Sequence, residues 1–244
     1  MSGHHNIEKG ENDARRGKIF TRHGNLITLA ARKGGDPTVN PTLRLAIDNA
    51  KKDNFPNVNI ERAVKRGTGE LKDAAEIVEI AYEGYGPAGI AVIVECLTDN
   101  RNRTITNVRT VFTKRGGNIG STGSVGWMFD RKGLIVAKAN GKAEELELQA
   151  IDAGADDIRV EGDRIEIWTP FATLHQVMVA LRSKGIGIEK AEVTMKPKEM
   201  LMIEDETKAK SVLEFIAALE EDMDVTNVYS NADIGEDLRK KIGT

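Results

Sequence analysis

Residues 84–130 read GYGPAGIAVIVECLTDNRNRTITNVRTVFTKRGGNIGSTGSVGWMFD, and the order of signals within them organises the chain on either side. The near-continuous apolar run Ile90–Leu97 is β-branched and too short for a typical helix, so it reads as a central strand buried on both faces. Thr98-Asp99-Asn100 then offers side-chain oxygens to the free amides of a new helix, and Gly116-Gly117 supplies the stop. Between them Ile105, Val108 and Phe112 share one helical stripe, while Arg103, Asn107, Thr110 and Lys114 share the opposite one. A second strand is expected to carry Trp127 and Phe129 on one face, closing a βαβ unit over residues 89–130. Core packing is the expectation for both aromatics, because the basic and aromatic signature of an RNA-stacking sheet is absent.

Upstream the chain is basic and helical. A helix is expected from Asp13 to about Lys33, with residues 1–12 polar and uncommitted. Asn40-Pro41 is a capping residue followed by proline at the first helical position, and Leu43, Ala46, Ile47 and Ala50 give the stripe of a second helix ending near Asn54. A third, over roughly residues 58–66, turns Ile60, Ala63 and Val64 inward and Arg62, Lys65 and Arg66 outward. Beyond a linker at residues 67–75, Ile77, Val78, Ile80 and Tyr82 mark a strand. Gly84-x-Gly86-x-x-Gly89 spells a dinucleotide fingerprint but precedes a strand instead of following one, and Pro87 removes an amide, so it is a turn.

Downstream, residues 132–198 alternate as strand 133–138, helix 142–153, strands 157–161 and 164–168, helix 170–184 and strand 187–195, the split-βαβ order of a ferredoxin-like domain. The tail adds a strand at 199–204, a helix at 206–221 and a strand at 224–229, predicting a second βαββαβ set completed by residues from both ends of the inserted domain. The fold class is thus α+β: a three-helix domain, residues 1–75; a discontinuous α/β domain, 76–131 and 199–244; and an inserted ferredoxin-like domain, 132–198.

Net charge is −3 over 244 residues, but the distribution is uneven: residues 1–72 hold 14 Lys+Arg against 8 Asp+Glu, and the remainder hold 21 against 30. The +6 leading segment is the natural end to face a polyanion. Its candidates for phosphate contact are Arg15, Arg16, Lys18, Arg22, Arg44, Lys51, Lys52, Arg62, Lys65 and Arg66, with a second surface formed by Arg101, Arg103, Arg109, Lys114 and Arg115. The alternative for the second surface is that Asp99 and Asn100 cap the helix while Arg101 and Arg103 make local ion pairs. No base-reading helix with a defined register is evident, so contact is expected mostly with the backbone. The acidic tail, eleven carboxylates and two lysines over residues 204–237, reads as a solvated face.

Cys96, the only cysteine, lies in the apolar strand and reads as a buried thiol in a reducing compartment. The four histidines lack metal-site spacing, and no phosphate-binding loop or nucleophile set stands out, so no enzyme, metal, cofactor or small-molecule substrate is expected. The amino terminus lacks the apolar core of a signal peptide and no run is long enough to span a membrane; a cytoplasmic protein is expected, without membrane partners. No dimerisation heptads set an oligomeric state.

GKIFT (17–21), AARKGGDP (30–37), NIERAVKRGTGE (59–70), YEGYGPAGIAVIVECLTDNRNRT (82–104) and GSVGWMFDRKG (123–133) resemble the YebC/PmpR family of bacterial regulatory proteins. The resemblance runs, with gaps, over almost the whole chain. It implies a helical domain followed by two α/β domains, and non-catalytic nucleic-acid binding. The function it implies is DNA-linked transcriptional regulation or, as the rival, translational activation on ribosomal or transfer RNA. One stretch departs from it: where the family carries a serine, a lysine and a tryptophan in a basic arm, this chain has His5-Asn6-Ile7-Glu8-Lys9-Gly10-Glu11.

Overall fold

The structure is a computed structural model that describes the backbone of residues 3–243 and the side chains of residues 14–243. Its contacts divide the chain into two units, residues 1–126 with 201–244, and residues 127–200.

The first unit opens with three helices, α1 (Gly3–Ala31), α2 (Pro41–Lys52) and α3 (Asn57–Gly67). Helix α1 begins ten residues before the expected start, so residues 3–12, read as uncommitted, are helical. Asn40 makes the α1–α2 corner: its side-chain oxygen accepts from the Leu43 amide at 3.1 Å, and its Nδ2 donates to the carbonyls of Ala30 and Gly34 at 2.9 and 2.8 Å. One residue thus caps α2 and satisfies carbonyls at the end of α1. Ile27, Ala30, Ala31, Leu43, Ala50, Phe55, Ile60 and Ala63 form the buried core of the three helices, with Phe20 edge-on to Phe55 at 5.2 Å. Gly67 lets α3 end against α1: a Cβ there would lie 2.3 Å from the Thr28 carbonyl oxygen.

Strands β1 (Val78–Tyr85) and β2 (Ala91–Thr98) form an antiparallel hairpin in a sheet ordered β3-β1-β2-β9, with β3 at Asn118–Ile119 and β9 at Val225–Ser230. Strand β2 is the buried centre that its sequence predicts, with seven of eight residues buried. Since β2 and β3 each run antiparallel to β1, they are parallel to one another with β1 between them, a split βαβ unit closed by α4 (Arg101–Lys114). Val108 and Phe112 of α4 meet Val212, Phe215 and Leu219 of α7 (Glu206–Glu220) over Ile90, Val92, Val94 and Cys96, and the Phe112 and Phe215 rings cross edge to face at 4.9 Å. Each large apolar side chain so buried contributes on the order of 1.5–3 kcal/mol. Burial pushes the Cys96 thiol up to about 12, with nearby Asp222, Asp224 and Glu95 adding to the shift.

Two expectations fail in this unit. The strand after α4 is the two-residue β3, not a strand through Trp127 and Phe129, and residues 120–126 instead loop back onto β1. The tail's first strand, β8 (Leu201–Met202), stays out of the main sheet and pairs in parallel with β10 (Ala232–Asp233). A short helix, α8 (Glu236–Ile242), ends the unit.

The second unit matches the βαββαβ order read from its sequence: β4 (Phe129–Lys138), α5 (Ala143–Ala153), β5 (Asp157–Glu161), β6 (Arg164–Pro170), α6 (Leu174–Ser183) and β7 (Ile188–Pro197), in a sheet ordered β5-β6-β4-β7. Ile135, Ala137, Ile165 and Ile167 pack with Leu146, Ala150, Val177 and Leu181 of the two helices. Phe129 is buried as expected. Trp127 is not: it sits in a 3-10 turn and is 66% exposed.

Candidate nucleic-acid interface

The cations singled out in the sequence separate into three groups. The first lies on the outer faces of the helices. Arg15, Arg16, Arg44, Lys51, Lys52, Arg62 and Lys65 are all exposed, and none has a carboxylate partner among the described residues. Arg16 lies over the Phe20 ring at 5.1 Å. Asp48 and Glu61 share α2 and α3 with these cations but pair with none of them. Val39, Leu45 and Val58 are outward too, at 78, 60 and 66% exposure, so apolar side chains interleave with the charges. The amphipathic periodicity of α2 and α3 produces this face: Leu43, Ala50, Ile60 and Ala63 take the inner stripes and leave the cations outside.

A second group faces the acidic end of α7 and the sheet. Burial holds the Lys18 ammonium below its ordinary value, with the carboxylates of Glu220, Asp222 and Glu221 opposing that shift and Arg22 adding to it. Arg22 donates to Asn227 of β9 at 3.4 Å. Lys18 is therefore half-buried at the junction of helices and sheet, whereas Arg22 touches the sheet at its edge and stays exposed.

The third group is structural. Arg66, expected to point outward from α3, turns toward the linker, where its Nε and a terminal nitrogen donate to the Ala75 carbonyl and Asp99 lies 3.6 Å away. Arg32, which the sequence reading missed, donates likewise to the Ile77 carbonyl and lies 3.5 Å from Glu76. The two arginines hold the linker at residues 74–77, because carbonyls left without helix or strand partners need donors. Arg103 is braced more tightly: its guanidinium grips the buried Asp224 through Nε at 3.0 Å and a terminal nitrogen at 2.7 Å, and also reaches Asp99 at 3.1 Å. Those bonds to Asp224 hold the guanidinium above its usual range. Thr104 donates to the same carboxylate at 2.9 Å, and Asn100 caps α4 by accepting from the Arg103 amide at 3.0 Å. Most of TDNRNRT is therefore a brace between α4 and the start of β9. Of the local alternative, the Asn100 cap and the Arg103–Asp99 pair are present, while Asp99 does not cap, Arg101 has no ion pair among the described residues and Arg103 mainly grips the distant Asp224. Arg115 pairs with Glu214 at 3.3 Å and Asn107 with Asp222 at 2.8 Å. Arg101, Arg109 and Lys114 remain exposed without a carboxylate partner among the described residues.

Two further features had no sequence signal, because they join residues far apart in the chain. Glu83 accepts from the amides of Gly123, Val125 and Gly126 at 2.8, 2.9 and 2.6 Å, pinning the loop that follows β3. Burial pushes its carboxyl up, but the three amides outweigh burial and leave it below its ordinary value. In the other, His23 of α1 meets Asp53, just past α2, with Nε2 2.6 Å from the carboxylate. They sit in a cleft of about 230 Å³ lined also by Ile19, Arg22, Leu26, Ala46 and Asn49. Among the described residues no group of three or more His, Cys, Asp or Glu side chains could hold a metal ion, and no helix is long and apolar enough to cross a membrane.

Two family models match the chain, one described as the TACO1/YebC protein N-terminal domain over residues 4–70 and the other as the TACO1/YebC second and third domain over residues 77–232. A probable transcriptional regulatory protein of Geobacter sulfurreducens is 48% identical over 248 residues, covering 99% of this chain and 100% of that one. One of the same description from Persephonella marina is 48% identical over 250 residues with the same coverage. Among solved structures, that of a conserved hypothetical protein from Aquifex aeolicus superposes with a TM-score of 0.82 at 46% identity, over 92% of this chain and 93% of that one.

Proposed function

The chain belongs to the TACO1/YebC family, and from that premise we propose that it is a regulator that binds nucleic acid through the phosphate backbone, with promoter-proximal DNA as its target and no catalytic step of its own. The relatives' description as probable transcriptional regulatory proteins supports the regulatory role. One observation carries the binding: seven cations on the outer faces of α1, α2 and α3 have no carboxylate partner among the described residues, although the whole chain is net acidic. Lysines and arginines left open in this way release counterions from a polyanion when they engage its phosphates. The relatives' description supports DNA over ribosomal or transfer RNA as the target, and Arg62 and Lys65 on the outer stripe of α3 would meet its phosphates.

Crosslinking in cells, followed by sequencing of both the DNA and the RNA retained, tests the reading. Enrichment of promoter DNA is the expected result. Enrichment of ribosomal or transfer RNA without DNA would replace it with translational regulation, and retention of neither would remove nucleic acid from the account.

A further inference from the structure

Along α1, Arg15, Ile19, Arg22 and Leu26 follow one another at spacings of four, three and four residues and so share one stripe. Cation and apolar side chain alternate along it. Ile19, Arg22 and Leu26 form one wall of the cleft, and Ala46, Asn49 and Asp53 of the α2 region form the other. At about 230 Å³ the cleft falls below the roughly 300–1,000 Å³ of sites that enclose a drug-sized ligand, so it suits a single planar group. Its polar atoms are open. The Asn49 side chain makes no hydrogen bond to any described residue, and Asp53 uses one carboxylate oxygen on His23, leaving Oδ1 without a described partner. Because a carboxylate only accepts, the His23 Nε2 carries the proton in that bond, which fixes Asp53 in place.

We propose that this cleft receives one unpaired nucleobase of a single-stranded segment, stacked between Ile19, Leu26 and Ala46 and read at its edge by Asn49 and Asp53, while Arg15 and Arg22 hold the flanking phosphates. The proposal rests on the nucleic-acid reading above and adds base selectivity to it. An amide that donates and accepts, beside a carboxylate that accepts, matches bases bearing an exocyclic amino group, adenine through N6, cytosine through N4 and guanine through N2; uracil and thymine have no exocyclic amino group and offer only the ring N3–H. Splayed-out bases held in this way are the usual means of recognising single strands.

The test is the affinity of the full chain for oligoadenylate, oligocytidylate and oligouridylate, and for their DNA counterparts, across a salt series. Adenine and cytosine oligomers should bind on the order of tenfold more tightly than uracil or thymine ones. Asn49→Ala should erase that preference and leave the salt slope, set by phosphate contacts, in place. Ala46→Phe, which fills the cleft, should do the same, with its melting curve checked against the parent. RNA and DNA arms that differ would identify the strand, and either order supports the cleft. Salt-dependent binding with equal affinity for all bases, or a preference that survives Asn49→Ala, overturns the cleft and leaves the phosphate-binding reading standing. Failure of every oligomer and of duplex DNA to bind overturns both.

Discussion

The sheet of the second unit and the helices of the first each carry many cations, and they treat them in opposite ways. On the sheet, Lys132 meets Asp156 at 2.6 Å, Lys138 meets Glu189 at 3.4 Å, Arg159 meets Glu161 at 2.6 Å, Arg164 meets Glu166 at 3.4 Å and Lys190 meets Glu192 at 2.6 Å. Lys196 both pairs with Asp157 and lies 4.7 Å over the Trp168 ring. On α1–α3, by contrast, Arg15, Arg16, Arg44, Lys51, Lys52, Arg62 and Lys65 have no such partners among the described residues. A strand sets residues two apart on one face, as in Arg159–Glu161, Arg164–Glu166 and Lys190–Glu192, and a neighbouring strand can bring Glu189 beside Lys138; both place opposite charges a few ångströms apart. The outer faces of α1–α3 project their cations where no carboxylate among the described residues meets them. Counting lysines and arginines therefore says little about polyanion binding; the presence or absence of a local carboxylate says more.

The largest effect that could break this contrast comes from reversing four open cations together. Arg44, Lys51, Arg62 and Lys65 changed to Glu should weaken binding to a DNA duplex by at least on the order of a hundredfold at physiological salt, and flatten the slope of log affinity against log salt by about four. The thermal midpoint should barely move, since surface changes away from packing stay within about 0.5 kcal/mol. Arg159, Arg164 and Lys190 changed to Glu in the sheet should leave affinity and slope as they were. Titrations followed by fluorescence anisotropy measure both, and equal losses from the two sets would erase the distinction between them.

Much of this organisation was legible in the sequence where a pattern is local. The Asn40-Pro41 start, the stripe Leu43, Ala46, Ile47 and Ala50, the buried strand at Ile90–Leu97 and the βαββαβ order of the second unit all follow from spacing within one element. Pairing across the chain was not legible. Nothing near Arg66 in sequence announces that Ala75 lacks a donor, and nothing near Arg103 announces Asp224, which lies 121 residues away. Helical periodicity places both arginines on outer stripes, and only the fold returns them to the protein. The expected strand through Trp127 failed for a related reason: two residues suffice at the edge of the sheet, and Glu83 then takes the loop amides that a longer strand would have used.

Arg103 and Arg66 sharpen the comparison inside the first unit, because their charge serves the fold. Removing one partner of a buried ion pair costs about 3–5 kcal/mol, and the half-exposed Arg103 guanidinium lowers that to roughly 2 kcal/mol for Arg103→Ala. Urea melts should show the loss, with the salt slope of binding unchanged. Arg66→Ala should cost about 1 kcal/mol by leaving the Ala75 carbonyl without its donor, whereas Arg62→Ala, four residues earlier on the same helix, should cost almost nothing. Charge reversal at Arg62 and Arg66 together thus confounds binding with stability, and Arg62 with Lys65 is the cleaner pair. A larger stability loss at Arg62 than at Arg66 would invert the assignment.

Glu83 isolates a charge held by backbone amides instead of by a cation. Its carboxylate is held by three backbone amides, so its folded value lies below that of the unfolded chain. Folding then favours the ionised form: the stabilisation is complete above the unfolded value, near 4.5, and disappears as pH falls through the folded one. Glu83→Gln should lower stability at neutral pH by about 0.5 kcal/mol, since one carboxamide nitrogen would confront amides that need acceptors and partial exposure lets water relieve part of the loss. As pH falls through the folded value the variant and the parent should converge, a sign opposite to that of a group whose value is raised on folding. Amides carry no net countercharge for ions to screen, so the difference at neutral pH should persist in high salt, where the exposed ion pairs of the second unit's sheet contribute less. Thermal melts of parent and variant from pH 7 down an acid series, each at low and high salt, separate these cases; a difference that vanished in high salt at neutral pH would put Glu83 among the screened surface pairs.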